Sequence, residues 1–433
     1  MVLFWFRRDL RLHDNAGLFH ALKSGKPVLP LFIFDSDILE KLSDQNDARV
    51  TFIHNTITEL HCQLKVYSST LLIKYGKPLE VMQELLETYD VEEVYTNRDY
   101  EPYARQRDEQ VQKMLQENGV IYKSYKDQVV FEESEILSKS SSPYKVYTPY
   151  KNAWKKAFEA SMARAYPVEQ HLHQLMRHHE GPIPSLQEMG FEPATIQTPL
   201  PRLSADVLQR YEENRNLPAL DATSRLSPHL RFGTISVRQA VQLAVQHNDT
   251  WLQELIWREF FMQLLYHFPH SAQESFASKF RHIAWLNNEE EFQKWCDGKT
   301  GFPLVDAGMR ELNSTGFMHN RVRMVVASFL VKDLLIDWRW GEAYFADKLL
   351  DYEQASNVGN WQWAAGTGAD AQPYFRVFNP DSQVKKFDKD YHYIRRWLPE
   401  FNTANYPPPM VNHASARDRA IAAYKKSITA FGI

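Results

Sequence analysis

The chain has 433 residues, so two domains are expected and a third is possible. Its net charge of −4 gives no overall attraction for a polyanion, so nucleic acid would need a local basic patch. Two distant cysteines exclude a disulfide framework, and no apolar run approaches the roughly 20 residues of a membrane span. No secretory leader precedes the first apolar run, so we expect a soluble, cytoplasmic protein without membrane contact.

The first part of the chain alternates β-branched and aromatic runs with amphipathic stretches, which is typical of a parallel sheet flanked by helices. We therefore predict a doubly wound α/β domain over residues 1–128. The predicted strands are Val2–Phe6, Val28–Phe34, Leu71–Lys74, Glu93–Thr96 and Ile121–Tyr125, and the predicted helices are Asn15–Ser24, Ala48–Tyr67, Pro78–Tyr89 and Pro102–Glu117.

No glycine-rich phosphate-binding turn follows the first strand, where residues 7–11 read Arg-Arg-Asp-Leu-Arg, so a nucleotide in the usual dinucleotide site is not expected. Over residues 129–195 the periodicity weakens, which predicts an interdomain linker with some helix. Its histidines have no Cys or Asp among them, so a solvated segment is favoured over a metal site. These histidines are His171, His173, His178 and His179.

Strand signals nearly vanish after Leu200, and long helical patterns run to the end of the chain. We predict an all-helical domain over residues 196–433. The 11 tryptophans concentrate between Trp251 and Trp397, which suits packing, ligand stacking or electron transfer. The clearest predicted helices are Leu252–Tyr266, Val305–Leu312, His319–Leu335 and Gly341–Leu350.

Two sequence patches in this helical half combine groups that could meet a ligand. Hydroxyls and backbone amides over residues 223–227, Thr-Ser-Arg-Leu-Ser, could hold a pyrophosphate at a helix start or simply cap that helix. Further on, Glu254, Trp257 and Arg258 fall on one helical face, which brings a carboxylate, an aromatic plane and a cation together. That set predicts a ligand contact or a buried ion pair.

Two later patches add to these candidates. Asn320, Arg323 and Met324 also share a face and could read a nucleobase, although Met324 could equally fill a core. In the last patch, Asp351 and Glu353 could be the acid/base pair of a glycosidase, but no nucleophile elbow accompanies them. The tryptophans that follow them are two positions apart, so one would face inward and the other would line a cavity.

The four patches, in this order after an α/β domain that begins Phe-Trp-Phe-Arg-Arg-Asp-Leu-Arg, resemble the photolyase/cryptochrome family. The similarity spans essentially the whole chain and is closest to class I-like microbial enzymes that repair cyclobutane pyrimidine dimers. It is densest from Tyr211 to Trp397, where Asn-Ser-Thr-Gly-Phe-Met-His-Asn-Arg and Trp-Gln-Trp-Ala-Ala-Gly-Thr-Gly-Ala-Asp are highly specific. The resemblance implies a C-terminal helical FAD-binding domain and a monomer that splits such dimers in DNA with blue light. The alternative is a light receptor of the cryptochrome type without repair activity.

In that family, light-excited reduced FAD, FADH⁻, gives one electron to the dimer and later takes it back. Asn357 would face the flavin N5 atom, where an amide stabilises reduced forms. Position 353 is usually Asp in the family and is Glu here. The residues at FAD-contact positions are Tyr211, Thr223, Ser224, Arg225, Leu226, Ser227, Trp251, Arg258, Arg323, Asp351, Glu353 and Asn357.

The resemblance also implies a lesion pocket. Photolyases themselves are known to extrude their target base, and a distorted dimer is the cheapest to unstack. Glu254 would hydrogen-bond the thymine edge, while Trp257 and Trp363 would form an apolar corner around the cyclobutane ring. Asn320 and Met324 would complete the pocket, where related (6-4) enzymes carry His at both positions. Contacts to the DNA backbone would come from Arg215, Arg321, Gln383, Lys385, Lys386, Arg395 and Arg396.

Trp361, Trp338 and Trp285 match the tryptophans that carry electrons between the surface and the flavin in this family. On general grounds each of them could also be an ordinary core residue. Plant-type cryptochromes would carry Asp where Asn357 stands.

An antenna chromophore is also implied. Residues 97–105 resemble the deazaflavin-binding type, although the Lys expected just before Trp251 is absent, and the acidic pair could instead cap a helix. A folate is less favoured because Tyr103-Ala104 replaces its Asn-Glu pair. Deazaflavin, FMN and an empty pocket stay open. The antenna candidates are Arg49, Asp99, Glu101 and Arg105.

Overall fold

The structure is a computed structural model that describes residues 1–177 and 181–431, so His178 and His179 lie outside the described residues. The chain divides into two compact units that interleave in sequence. The first unit comprises Met1–Leu137, Asn152–Pro201 and Arg225–Glu259. The second comprises Ser138–Lys151, Arg202–Ser224 and the chain from Phe260 onward. The domain boundaries predicted after residues 128 and 195 stay a prediction.

The first unit is built on a five-stranded parallel sheet. Its strands are β1 Val2–Phe6, β2 Val28–Asp35, β3 Leu72–Gly76, β4 Glu93–Asn97 and β5 Ile121–Tyr125. They lie in the order β3-β2-β1-β4-β5, and every neighbouring pair is parallel. From β1 the chain first adds β2 and β3 on one side and then β4 and β5 on the other side, which is the signature of a doubly wound fold. The predicted α/β fold is confirmed.

Both faces of this sheet are covered by apolar side chains. Alternate residues of β1 point to opposite faces, so Phe4 and Phe6 join one apolar cluster while Leu3 and Trp5 join another. All residues of β1 and β2 are buried, as expected for central strands between two helical layers.

The helices of the α/β part start with clear local signals. Asn15 and Asp47 cap their helices by accepting from backbone N–H groups, and Pro78 and Pro102 each occupy a first helical position. The predicted helix over residues 48–67 ends in a 3₁₀ turn at Lys65–Tyr67. These helices are α1 Ala16–Leu22, α2 Ser36–Leu39, α3 Ala48–Leu64, α4 Pro78–Thr88 and α5 Pro102–Glu117.

The remaining helices follow in chain order. They are α6 Tyr147–Ala157, α7 Ala205–Gln209, α8 Tyr211–Asn214, α9 Ser227–Phe232, α10 Val237–His247, α11 Asp249–His267, α12 Glu289–Cys296, α13 Pro303–Thr315, α14 Asn320–Ser328, α15 Trp338–Lys348, α16 Gln354–Ala365, α17 Pro380–Phe387, α18 His392–Trp397 and α19 His413–Phe431. From residue 200 to residue 431 the chain forms no strand, as predicted for the helical half.

The second unit has an apolar core formed mainly by α12 to α16. The predicted helix over residues 319–335 is α14 followed by a π-helical turn at Phe329–Asp333, a local widening that often marks functional sites. Trp295, Trp338, Trp361 and Tyr393 are the largest buried side chains of this core. No helix in the described residues is both long and apolar enough to cross a bilayer.

Candidate functional site

Asn357 presents an oriented amide on α16 of the second unit. The residue is 8% exposed, and its Nδ2 donates to the Glu342 carbonyl oxygen (3.1 Å) and to Glu342 Oε1 (3.0 Å). No group in the described part of the chain donates to Asn357 Oδ1. The amide is therefore held with its N–H groups toward Glu342 and its oxygen ready to accept from a ligand N–H.

Glu342, on α15, was not predicted from the sequence. Burial raises the pKa of its carboxyl, although the hydrogen bonds from Asn357 and Tyr352 act in the opposite direction. The two residues that orient one another stand 15 positions apart on different helices. Helical periodicity within one element could not have found such a pair.

The three candidate electron-transfer tryptophans run from buried to partly exposed. Trp361 and Trp338 are each 2% exposed within the same apolar cluster, and Trp285 is half-buried and packs against that cluster. Gly341 makes room for Trp361, because a Cβ at that glycine would lie 2.1 Å from the indole Cη2 atom. In the described residues nothing accepts a hydrogen bond from Trp361 Nε1.

The two carboxylates that follow α15 contact different partners. Asp351 receives a bidentate pair from Arg323, at 2.9 Å and 3.2 Å, and Arg323 Nε donates to the Met318 carbonyl oxygen at 2.7 Å. Glu353, which is 5% exposed, accepts from Ser356 Oγ at 2.9 Å. Asp351 is thus an ion-pair partner, which does not favour an acid/base pair with Glu353.

The candidate lesion residues fall in both units. In the second unit, Asn320 is exposed at the start of α14, and Met324 is half-buried one turn later on the same face. Trp363 of α16 is also half-buried, in contrast to Trp361 two positions earlier. The sequence predicted this difference from helix geometry.

In the first unit, Glu254 and Trp257 are half-buried on α11, one turn apart. Arg258 of the same helix donates from Nη1 to the Gln128 carbonyl oxygen at 2.9 Å. Trp251, near the start of α11, is buried, and its backbone N–H donates to Asn248 Oδ1 at 3.0 Å. Helix α11 therefore holds this set on one rigid element.

The hydroxyl-rich segment before α9 is not an ordinary helix cap. The N-cap residue of α9 is Leu226, and no side chain makes a capping hydrogen bond there. Arg225 has a left-handed backbone with φ of 52°. In the second unit, Thr223 is half-buried, and buried Ser224 accepts from the Arg202 backbone N–H at 2.7 Å. Ser227 is exposed at the first helical position of α9.

Cations of the second unit gather around Phe387. The Arg321 guanidinium lies 4.5 Å from the ring centroid of Phe387 and donates to Asn216 Oδ1 at 2.8 Å and 3.2 Å. Lys386 Nζ lies 5.2 Å from the same centroid. Burial and then the charge of Arg215 lower the pKa of Arg321.

Two further candidates, Arg215 and Tyr211, contact each other. Arg215 stacks over Tyr211 at 5.3 Å, which joins a predicted DNA contact to a predicted FAD contact. The positive charge of Arg215 acts on that of Arg321, and neighbouring cations of this kind favour an anionic ligand. The other backbone-contact candidates are exposed or half-buried, and they are Gln383, Lys385, Arg395 and Arg396.

The antenna candidates of the first unit contact other charged residues of that unit. Arg8 contacts Asp99 at 3.1 Å and Glu101 at 3.3 Å, and Arg231 contacts Glu101 at 3.1 Å. Burial acts to raise the pKa of Asp99, but Arg8 and neighbouring arginines hold it well below its usual range. Glu101 is the N-cap residue of α5, yet its side chain does not cap the helix.

The other two antenna candidates have their own contacts. Arg49 pairs with Asp47 at the start of α3, and the Arg105 backbone N–H donates to the Glu101 carbonyl oxygen at 3.0 Å. The structure thus brings Asp99 and Glu101 together through Arg8, which the sequence had not singled out. No group of His, Cys, Asp or Glu that could hold a metal ion occurs within residues 1–177 and 181–431.

Known proteins are similar to this chain over nearly its whole length. A family model described as DNA photolyase matches residues 2–170, and one described as FAD binding domain of DNA photolyase matches residues 251–405. A protein named deoxyribodipyrimidine photo-lyase from Vibrio cholerae is 37% identical over 98% of this chain and 99% of its own length. One of the same name from Synechococcus is 38% identical, covering 98% and 96%.

Solved structures give the same picture. A bacterial class III photolyase from Agrobacterium tumefaciens has a TM-score of 0.88 at 35% identity, covering 98% of this chain and 97% of its own. A photolyase from Sulfolobus tokodaii with two FAD molecules has a TM-score of 0.81 at 35% identity, covering 98% and 99%. With two family models and full-length relatives above 30% identity in agreement, the chain belongs to the photolyase/cryptochrome family.

Proposed function

We propose that this chain is a deoxyribodipyrimidine photolyase that acts in the cytoplasm as a monomer and uses blue light to split cyclobutane pyrimidine dimers in DNA. The observation that carries the proposal is the Asn357 amide, which is buried, is fixed by Glu342 and keeps its oxygen open. The full-length relatives named deoxyribodipyrimidine photo-lyase support the same reaction.

The residues present fit reduced FAD as the cofactor. The N5 atom of a reduced flavin carries a hydrogen, and Asn357 Oδ1 is an acceptor of matching chemistry. When bound in this reduced form, FAD supplies a light-excited one-electron donor. The pyrophosphate would take the hydroxyls and amides from Thr223 to Ser227, and Arg323 would keep its pair with Asp351 at the cofactor.

Asn357 and Glu342 have the roles of acceptor and support. Glu342 fixes which end of the amide points toward the flavin, because both Asn357 N–H groups are engaged by it. Held in this way, the amide oxygen favours the cofactor form that offers an N–H and disfavours the form that lacks it.

The lesion would be held by an acid, an amide and apolar surfaces. Glu254 would accept from the imide N–H of a thymine, and Trp257 and Trp363 would pack against the cyclobutane ring. Asn320 would hydrogen-bond the base edge, and Met324 would contact its face. Their partial exposure supports a role in contacting a ligand.

The DNA backbone would be bound by the cations around Phe387 and on α17 and α18. The charge of Arg215 adds to the effect of burial in lowering the pKa of Arg321, and a phosphate beside both cations would relieve that repulsion. Gln383, Lys385, Lys386, Arg395 and Arg396 would extend the contact along the strand. Affinity would therefore fall steeply with salt.

Trp361, Trp338 and Trp285 would restore the cofactor to its reduced form. Their gradient from buried to half-buried supports a path for a positive hole from the interior to the surface. Water stabilises a charged radical better than an apolar core does, so the hole would settle on the outermost tryptophan. An electron donor in solution would then refill it.

An antenna chromophore, either deazaflavin or FMN, would bind near Arg8, Asp99 and Glu101 in the first unit. The ion pairs of these residues mean that such a ligand must accept or replace existing contacts. A folate is less favoured by the sequence, and Arg49 and Arg105 are the remaining candidates.

The proposal is tested by illuminating the purified protein with an oligonucleotide that carries a thymine dimer. We expect a yellow or blue protein that releases FAD on denaturation and restores intact thymines only in the light. A protein that binds FAD and is photoreduced but leaves the dimer intact would favour a light receptor instead. A protein without flavin that cannot take up added FAD would contradict both functions.

A further inference from the structure

The chain segment around Trp285 is basic in a protein whose net charge is −4. The segment of residues 275–288 contains no acidic residue. It carries Lys279, Arg281 and His282 within six positions of Trp285, and all three are exposed. We call this segment, together with residues 419–431 of α19, the Trp285 patch.

Contacts between aromatic rings join the two parts of this patch. Tyr424 of α19 lies edge-to-face with Trp285 at 5.9 Å, and it also meets Phe280 at 5.6 Å. Lys279 Nζ lies 5.1 Å from the Phe280 ring centroid, and the Lys279 carbonyl oxygen accepts from Ser427 Oγ at 2.7 Å. The two segments that carry these cations therefore meet at Tyr424, which contacts the indole.

Residues 419–431 add positive charge and no acid. Arg419 is tied down, donating to the Asp333 carbonyl oxygen at 2.6 Å, whereas Lys425 and Lys426 are exposed. The acidic residue just before the patch is Glu274, which pairs with Arg281 at 3.1 Å. The acidic start of α12 begins at Glu289 and limits the patch on the other side.

A positive patch of this kind affects how fast charged molecules arrive. Local charge raises the rate of encounter with a small anion by about tenfold or more at low ionic strength. Neutral molecules gain nothing from it. A partly exposed indole inside such a patch is thus more accessible to an anionic reductant than to a neutral one.

We propose that the Trp285 patch recruits a small anionic one-electron donor, of the ene-diolate or thiolate class, to refill Trp285. The inference rests on the proposed role of Trp285 as the outer end of the electron path. In this step one electron passes from the donor to the oxidised indole. The donor is oxidised to a radical, the indole is reduced to its closed-shell form, and no bond between heavy atoms is formed or broken. If the indole radical has lost its Nε1 proton to water, a proton from water returns with the electron.

The test is flash photolysis of the full chain with bound FAD, following the decay of the tryptophan radical. Ascorbate, a monoanion at neutral pH, is one probe and neutral hydroquinone is the other. With ascorbate we expect the decay to slow about threefold to tenfold between 0.01 M and 0.5 M salt, since the Debye length shrinks from about 30 Å to a few ångströms. With hydroquinone we expect almost no change.

The double variant Lys279→Glu with Lys425→Glu should slow the ascorbate reaction several-fold at low salt and match the wild type at high salt. A matched control is Lys77→Glu with Lys113→Glu, which changes the net charge equally at two exposed positions, one just before α4 and one on α5. FAD content and circular dichroism check the fold. The milder pair Lys279→Gln with Lys426→Gln gives the same direction if charge reversal perturbs folding.

Equal ascorbate rates in the patch variant and the control would overturn the inference, as would equal salt effects on the two probes. In either case the proposed function would still stand, provided that the protein repairs dimers and forms the tryptophan radical. If the wild type forms no tryptophan radical at all, the electron path fails and this inference fails with it.

Discussion

The charge network around Asp127 in the first unit and helix α16 in the second unit use polar groups in opposite ways. In the first unit buried charges satisfy one another: Arg238 contacts Asp14 at 2.8 Å and Asp127 at 2.7 Å, and Arg11 contacts Asp127 at 2.6 Å. In the second unit α16 keeps groups that this part of the protein leaves unsatisfied, the Oδ1 of Asn357 and the Nε1 of Trp361. Closed networks stabilise a fold, whereas open groups on a rigid helix suit a cofactor and its electrons.

This contrast predicts that the largest functional loss comes from a residue whose removal hardly affects the fold. Trp338→Phe keeps an aromatic ring in a fully buried site but removes an indole that can carry a hole. We expect photoreduction of oxidised FAD to be abolished, while repair by chemically reduced protein is kept. The measurement is the absorbance of the flavin under continuous blue light with a reductant.

Trp295→Phe is the matched control for this experiment. Trp295 lies in the same core, and its ring centroid is 6.2 Å from that of Trp361. It is 0% exposed, and its Nε1 donates to the Val326 carbonyl oxygen, so a hole there would have no access to water. Photoreduction should persist in this variant, and a full rate in Trp338→Phe would mean that another route operates.

The second prediction concerns the closed network of the first unit. Arg238→Met leaves buried Asp14 without its cationic partner and Asp127 with Arg11 alone, which costs about 3–5 kcal/mol of unfolding free energy. Urea denaturation followed by circular dichroism measures the loss. If the comparison holds, Arg323→Met costs less stability, because Arg323 is 24% exposed and pairs with one carboxylate instead of two, yet it lowers the FAD content of the purified protein. Equal stability losses would contradict the comparison.

Much of the fold could be predicted because its signals are local. The strands of the first unit are continuous apolar runs bounded by turn residues, and each predicted strand overlaps an observed one. Asn15 and Asp47 mark helix starts that can be read directly from the sequence. The short helices α7 and α8 have too few turns for a periodic pattern, so they could not be predicted separately.

The parts of the site that sequence reasoning missed depend on long-range pairing. Glu342 supports Asn357 from another helix, and Arg231 reaches Glu101 across 130 positions of the chain. Arg238 pairs with Asp14 across 224 positions. Patterns at three- and four-residue spacing find the faces of a helix, but they carry no information about which distant element contacts that face.

The third prediction tests whether α11 contributes an active group from the first unit. Glu254→Ala should lower the repair yield about tenfold to hundredfold while FAD stays bound, since a charge-assisted hydrogen bond contributes about 1.5–3 kcal/mol. Repair is measured as dimer loss per absorbed photon. Gln253→Ala, the adjacent position on a different face of the helix, should repair normally. An unchanged yield in Glu254→Ala would remove that carboxylate from the mechanism.

The smallest effect is expected where a closed pair lies near the surface of the second unit. His413, at the start of α19, contacts buried Asp333 at 2.6 Å, and this hydrogen bond raises the pKa of His413 above 6.5. Because the folded-state pKa is the higher one, the stabilisation is complete below pH 6.5 and is lost as the pH rises through the folded value. Burial raises the pKa of Asp333, and this shift also makes the folded state less stable as the pH rises. Urea unfolding should show that, between pH 6 and pH 8.5, the wild type loses up to about 1 kcal/mol more unfolding free energy than His413→Asn does. Identical pH profiles of the two proteins would show that the pair does not link α19 to the core.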